Sequence, residues 1–224
     1  MQKWLSGLIA LIIFAVNPVW AESPTTVTIK KETPTFDLDI KYPQGFANRN
    51  IDKVIKAFID ETQQADSNPD ASTASTSGKN SLYIDYKLPF QNEKAVSLLF
   101  TVSVYSGGAH PNNTVKTFNF IEGQEITLAD VFKPESPYLS QIAKVSRAAI
   151  LEKKLSDEKW VITGTEPTAD NYRNWNFTKD GIAIVFDTYQ VAAYVYGPQT
   201  VEIPRSKLAN WLRPEIAKVL WGTQ

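Results

Sequence analysis

Apolar and polar residues alternate along much of the chain, which is the pattern of strands with one buried face. Residues 27–42 alternate on either side of Pro34 and predict two short strands, because proline interrupts a strand ladder. Residues 82–90 and 95–105 alternate as well, and the short polar segment between them predicts a hairpin. Further strands are predicted at 115–121, 124–128, 182–186, 189–196 and 200–203.

Other stretches space their apolar residues by three and four, which places these residues along one side of a helix. Residues 48–64 have this spacing, and Asn50 is the predicted N-terminal cap. The remaining helices are predicted at 137–154 and from Pro204 or Ser206 onward, with Pro214 limiting or kinking the last one.

These elements predict an α+β fold, with a mainly antiparallel sheet and helices packed on one face. We expect a strand and helix module at residues 22–66, a flexible polar loop at 67–80 and a second α+β module at 81–224. A unit of about 40 residues buries too little surface to be stable alone. We therefore expect the first module to pack with the second as one globular unit.

Residues 1–21 have the arrangement of a secretory signal peptide. Lys3 precedes an apolar stretch from Leu5 to Val16, and Val19-Trp20-Ala21 before Glu22 suits signal peptidase. This stretch is shorter than the roughly 20 apolar residues that a spanning helix needs. We expect cleavage and a periplasmic or secreted protein without membrane contact; an uncleaved anchor is the alternative.

The composition excludes several kinds of site. The 224 residues include 23 Lys and Arg against 24 Asp and Glu, so no broad positive field favours a nucleic-acid partner. The absence of cysteine excludes disulfides, thiolate nucleophiles and cysteine zinc sites, and the single histidine, His110, excludes a site with two imidazoles. The acidic residues of the polar loop lack calcium-loop spacing. We expect neither a metal nor a cofactor.

The segment Tyr105–Pro111 combines a strand end, two glycines and the only histidine. Ser106 as a nucleophile and His110 as its base would suit acyl transfer, with Asp130 or Asp187 orienting the histidine. Ser106, however, lacks the G-x-S-x-G motif that exposes a serine nucleophile. The alternative is a loop whose glycines have positive φ and whose histidine makes only local hydrogen bonds.

Aromatic residues are concentrated in the last third of the chain. If residues 189–196 form a strand, Tyr194 and Tyr196 share one face and offer a platform for a sugar or a protein surface. The alternative is that these aromatics fill the core. The predicted ligand-binding residues come from this region and from the glycine segment; they are Tyr105, Ser106, Gly107, Gly108, His110, Tyr189, Tyr194 and Tyr196.

Five segments resemble, in order and spacing, the extracytoplasmic domain of the RsiV-type proteins, a bacterial family. They are Tyr105–His110, Ile126–Phe132, Phe177–Ile182, Tyr189–Tyr194 and Val201–Pro204. Upstream, the region of Pro43 and the segment Asn50–Phe58 resemble the small N-terminal module that often accompanies this domain.

The resemblance implies an α+β fold and no established catalytic activity in this module. Relatives of this kind are anti-sigma factors whose outer domain binds lysozyme, and others precede peptidoglycan deacetylase domains. We therefore expect an exported, non-enzymatic binding protein of the bacterial envelope that recognises a lysozyme-like cell-wall enzyme or peptidoglycan. The alternatives are a periplasmic hydrolase using Ser106 and His110, and an envelope assembly or interaction factor.

Overall fold

The computed structural model describes residues 23–66 and 79–222, so the predicted signal peptide and most of the predicted polar loop lie outside the described residues. The strands are β1 Thr25–Glu32, β2 Phe36–Gln44, β3 Asn80–Gln91, β4 Ala95–Tyr105, β5 Asn112–Ile121, β6 Gln124–Glu125, β7 Trp175–Phe177, β8 Gly181–Phe186 and β9 Gln199–Pro204. The helices are α1 Arg49–Asp66, α2 Tyr138–Glu152, α3 Glu158–Gly164 and α4 Pro214–Trp221.

Six strands form one sheet in the order β1-β2-β3-β4-β5-β6. Neighbouring strands are antiparallel except β2 and β3, which run parallel. Parallel neighbours need a long connection, and here the connection contains α1. The predicted α+β class is confirmed, and so is the hairpin of β3 and β4.

The apolar side of α1 covers one face of the six-stranded sheet. Ile51, Ile55 and Ile59 are buried in a core that includes residues of β2, β3, β4 and β5. The predicted cap is wrong by two residues, because Asn48 Oδ1 accepts the backbone N–H of Asn50 at 3.0 Å. The Asn50 side chain instead donates to the backbone carbonyl of Gly123 at 2.8 Å and ties the helix to the β5–β6 turn.

The last three strands form a separate antiparallel sheet in the order β7-β8-β9. The sequence predicts one sheet, whereas these strands form a second one. They surround a second core with α2 and α4, to which Phe177, Ile184 and Ile142 contribute. Tyr172 and Trp175 are buried in this core, so the core-filling alternative is confirmed for these two aromatics.

The two sheets are joined by side chains of the first sheet that bond to the backbone of β7. β7 pairs with β8 along one edge. Along its other edge, Trp175 N–H donates to Thr117 Oγ1 at 3.0 Å and Phe177 N–H donates to Ser97 Oγ at 2.8 Å. Asn119 Nδ2 donates to the Trp175 carbonyl at 2.7 Å. Buried side chains thus provide hydrogen-bond partners for backbone groups on this edge of β7 that would otherwise be unpaired.

Three elements in the second half of the chain differ from the prediction. Helix α3 is missing from the prediction; it begins after Asp157, whose side chain accepts the Trp160 N–H at 3.0 Å. The strand predicted at 189–196 is wrong, because this region forms turns and a 3-10 helix at Tyr194–Tyr196. The last α-helix begins only at Pro214, which occupies its first turn, where the missing N–H of proline is harmless.

Candidate functional site

The predicted site lies where the loop between β4 and β5 meets the segment between β8 and β9. Gly107 and Gly108 have φ values of +96° and +114°, which glycine adopts most readily. The Tyr105 hydroxyl donates to the Gly108 carbonyl at 3.0 Å and closes the loop. The alternative prediction of positive φ at the two glycines is confirmed.

His110 contacts Pro111 next to it and the distant tyrosines Tyr189 and Tyr194. Its ring stacks on the Tyr194 ring with a centroid distance of 3.8 Å and an interplanar angle of 22°. Its Nδ1 lies 2.9 Å from the Pro111 carbonyl, an acceptor, so Nδ1 carries the proton in this hydrogen bond. Nε2 then accepts the Tyr189 hydroxyl at 3.4 Å. Neither nitrogen bonds to Ser106 or to a carboxylate in the described part of the chain, so this geometry does not support the triad.

Tyr194 is fixed at both its ring and its hydroxyl. The hydroxyl donates to the Pro111 carbonyl at 2.8 Å and accepts Asn113 Nδ2 at 2.8 Å. Asn113 lies 81 residues away in sequence, and no local pattern indicated its role. The tyrosine therefore holds the histidine loop against the second sheet.

Tyr189 completes a group that we call the aromatic cluster, defined as His110, Tyr189 and Tyr194. The Tyr189 and Tyr194 ring centroids are 5.7 Å apart, and half of Tyr189 is exposed. Tyr189 has a φ of +67°, a left-handed conformation that costs about 1–3 kcal/mol in a residue other than glycine. Trp160 on α3 donates its Nε1–H to the Tyr189 carbonyl at 3.0 Å and helps to hold this conformation.

Gln190 is the main anchor of the turn that presents Tyr189. Its Oε1 accepts the Asp187 N–H at 3.0 Å, and its Nε2 donates to the carbonyls of Gly164 and Asn171 at 3.1 and 2.9 Å. Three hydrogen bonds from one half-buried side chain position the exposed tyrosine.

Asp187 builds this turn and has no hydrogen bond to His110. Its Oδ1 accepts the backbone N–H groups of Val115 and Thr188 at 3.2 and 3.0 Å. Its Oδ2 lies 3.5 Å from the Arg173 guanidinium. The carboxylate thus connects β5, the Tyr189 turn and the segment before β7.

Asp130 belongs to a different part of the molecule. Its Oδ2 accepts the Thr127 hydroxyl at 2.7 Å and the Thr127 N–H at 2.8 Å, which caps the 3-10 helix Leu128–Val131. These two hydrogen bonds and the nearby charge of Arg213 hold the pKa of Asp130 below its ordinary value of 3.8. The structure gives this residue a capping role.

We expect Asp130→Asn to lower the stability of the protein at neutral pH and to make it less sensitive to acid. Because the folded pKa is the lower one, the stabilisation is fully present above the unfolded value and is lost as pH falls through the folded value. The stability difference between wild type and variant should shrink from about pH 5 downward. Urea unfolding of wild type and variant at pH 7 and pH 3 measures this stability difference. A difference that is the same at both pH values would contradict the capping role.

Ser106 and Tyr196 lie apart from these contacts. Ser106 is exposed, and within the described residues its hydroxyl makes no hydrogen bond. Tyr196 is 47% exposed and lies on the 3-10 helix, so it does not share a strand face with Tyr194. Of the eight predicted binding residues, the structure brings His110, Tyr189 and Tyr194 into mutual contact.

Within residues 23–66 and 79–222, no three His, Asp or Glu side chains come together as the ligands of a metal ion would. None of the helices in this part combines the length and the apolar character that crossing a bilayer requires.

Comparison with known proteins divides the chain into two matching segments. Residues 29–113 match the family described as Deacetylase PdaC, and residues 129–206 match the protein family of unknown function DUF3298. The chain is 29% identical over 194 residues to the peptidoglycan-N-acetylmuramic acid deacetylase PdaC of Bacillus subtilis. That alignment covers 84% of this chain and 41% of the deacetylase, so the chain spans about two fifths of that relative's length.

More distant relatives match over a similar length. The immunogenic proteins MPB64 of Mycobacterium bovis and MPT64 of Mycobacterium tuberculosis are 22% identical over 191 residues, with 82% of this chain and 81% of theirs covered.

Two solved DUF3298 proteins have similar structures. The protein from Pseudomonas aeruginosa has a TM-score of 0.69 at 17% identity and covers 88% of this chain and 97% of its own. The protein from Bacteroides fragilis has a TM-score of 0.61 at 14% identity, and the match covers 89% of this chain and 99% of the other. The chain therefore has the fold of the solved DUF3298 proteins and joins a PdaC-like segment to a DUF3298-like segment.

Proposed function

We propose that the chain is an extracytoplasmic, cell-wall-associated protein that binds peptidoglycan through the aromatic cluster and does not catalyse a reaction there. The similarity to the Bacillus subtilis deacetylase, whose name states that it acts on peptidoglycan, supports the ligand and the location. The match of residues 29–113 to Deacetylase PdaC supports the same environment.

The observation that carries the proposal is the geometry of the aromatic cluster. An aromatic ring offers an apolar face and a phenol a polar tip, a combination suited to the mixed apolar and hydroxyl-rich surface of a sugar. Tyr194 is fixed by two hydrogen bonds, and the strained turn holds Tyr189 exposed. Strained backbone of this kind is common at ligand-binding sites. Such preorganisation lowers the entropy lost on binding.

The hydrogen bonds of His110 favour binding over hydrolysis. A serine hydrolase needs the imidazole within hydrogen-bond reach of the serine hydroxyl. Both nitrogens of His110 bond instead to Pro111 and Tyr189. In this arrangement the histidine supports the neighbouring tyrosines.

Tyr189→Ala should reduce the affinity of the protein for insoluble peptidoglycan about tenfold, because it deletes a half-exposed ring of the cluster. Sedimentation of the purified protein with peptidoglycan measures this affinity. Tyr83→Ala is the matched control, since Tyr83 is 43% exposed on β3, away from the cluster. Tyr189→Gly removes the ring while favouring the positive φ, so it should lose binding without losing stability.

A protein partner would give a different result. If wild type fails to sediment with peptidoglycan but forms a complex with lysozyme that Tyr189→Ala disrupts, the cluster binds a cell-wall enzyme instead. Equal losses in the Tyr83 and Tyr189 variants would contradict a role for the cluster with either partner.

A further inference from the structure

A cavity of about 420 Å³ lies at the junction of the two sheets, on a different set of residues from the aromatic cluster. It is formed by β5, the segment 125–129, the start of α2 and the segment 169–175. Its apolar lining includes Tyr138, Leu139 and Trp175. The volume lies within the range of about 300–1,000 Å³ that is usual for small-molecule sites.

Two buried side chains of β5 give the cavity hydrogen-bond donors. Thr117 Oγ1 accepts the Trp175 N–H, which leaves the threonine hydroxyl hydrogen available. Asn119 Nδ2 uses one N–H on the Trp175 carbonyl and keeps a second, while its Oδ1 is occupied by the Ser97 hydroxyl. Both side chains line the cavity and are almost fully buried, so a ligand able to accept these hydrogen bonds would satisfy them.

Charged side chains complete the lining. Lys116 does not supply a charge to this group, because its ammonium lies 5.1 Å from the centre of the Phe118 ring, on the sheet face that α1 covers and opposite Thr117 and Asn119. Arg173 pairs with Asp170 and Asp187 and remains half exposed. Glu125 is exposed and is without an ion-pair partner in the described part of the chain. The cavity therefore combines one cation with one carboxylate.

We infer that this cavity binds an N-acylated acid, a molecule with one carboxylate, one secondary amide and a small apolar substituent. Arg173 would pair with the ligand carboxylate. Thr117 and Asn119 would donate to the amide carbonyl, and Glu125 would accept the amide N–H. The apolar substituent would pack against the lining around Tyr138 and Trp175.

This inference deepens the proposed function and rests on it for the source of the ligand. Peptidoglycan offers this chemistry at the carboxyl-terminal residues of its stem peptides and, where a stem peptide has been removed, at the lactyl carboxylate of N-acetylmuramic acid. Arg173 lines the cavity and also pairs with Asp187, which builds the turn of Tyr189. One polymer could therefore contact the cavity and the aromatic cluster together.

Calorimetric titration of the full chain with N-acetylmuramic acid and with N-acetyl-L-alanine tests the inference and separates the two sources. We expect at least one of the two acids to bind, and N-acetylglucosamine, which has the amide but no carboxylate, to bind at least tenfold more weakly. Binding by N-acetylmuramic acid alone supports the sugar source, and binding by N-acetyl-L-alanine alone supports the peptide source. No heat from either acid at tens of millimolar, or equal affinity for N-acetylglucosamine, would overturn the inference.

Two variants locate the binding. Glu125→Gln should weaken binding of the acid about tenfold, because it removes a charge-assisted hydrogen bond. Ala169→Trp places a large side chain at an exposed position of the lining and should abolish binding. Lys87→Gln on β3 is the control and should leave affinity unchanged.

The variants also separate this inference from the proposed function. If the acids fail to bind while the protein still sediments with peptidoglycan in a Tyr189-dependent manner, the cavity inference fails alone. If the acids bind and Glu125→Gln weakens their binding while sedimentation is absent, the aromatic cluster proposal fails alone.

Discussion

Asn119→Leu should lower the free energy of unfolding by about 3 kcal/mol, although it exchanges one side chain for another of similar size. The substitution leaves the Trp175 carbonyl without a donor and the Ser97 hydroxyl hydrogen without an acceptor, and both residues are almost fully buried. An unsatisfied buried polar group costs about 1–3 kcal/mol. The leucine adds apolar contacts, but these do not restore the hydrogen bonds of β7.

Urea unfolding followed by tryptophan fluorescence measures this loss. A double-mutant cycle with Ser97→Ala measures how strongly the two side chains are coupled. They bond to each other and to backbone groups of β7. We expect a coupling energy above about 0.5 kcal/mol, as for other residues of one hydrogen-bonded network. Additive effects would show that the two side chains act independently.

The second large effect is expected at Gly164, the last residue of α3. Helix propensity alone predicts that Gly164→Ala stabilises the protein by about 1 kcal/mol. A Cβ at this position would lie 2.0 Å from the Gln190 carbonyl oxygen and 2.9 Å from Val191 Cγ1. Because the first neighbour is backbone, the clash outweighs propensity, and we expect a net loss of about 3 kcal/mol.

The same substitution should also displace the Tyr189 turn, since Gln190 Nε2 donates to the Gly164 carbonyl. Peptidoglycan binding should therefore weaken together with stability, although Gly164 is buried and does not belong to the aromatic cluster. Gly45→Ala is the control, because a Cβ there meets no atom within 4 Å and tests only the cost of a positive φ. A stabilised Gly164→Ala with normal binding would contradict this account.

The regular elements of the first sheet follow from local pattern, whereas the contacts between the two sheets do not. The alternation in β4 and β5 correctly predicts strands, but it also suggests that Ser97, Thr117 and Asn119 face water. They are buried, because β7 covers that face and uses their hydroxyl and amide groups as hydrogen-bond partners. Only a partner strand more than 50 residues away in sequence makes these polar residues part of the interior.

The sequence likewise predicts some features of the aromatic cluster and not others. The glycines and the histidine were recognisable from residue type, and the exposure of Tyr189 was compatible with the predicted strand. The turn itself was not predictable, because it depends on Gln190 reaching Gly164 and Asn171. Val191 and Ala192 are adjacent and both buried, which a strand with one wet face would not allow.

The hydrogen bonds along β7 have a consequence for how this fold can be divided in evolution. Ser97 lies inside the PdaC-like segment, β7 inside the DUF3298-like segment, and Thr117 and Asn119 between them. A gene fusion or truncation that separated the segments at that boundary would give β7 an open edge, the kind that recruits strands from other molecules. We therefore expect the two segments to occur together, or the DUF3298-like segment to occur with other groups that replace these three side chains as hydrogen-bond partners of β7.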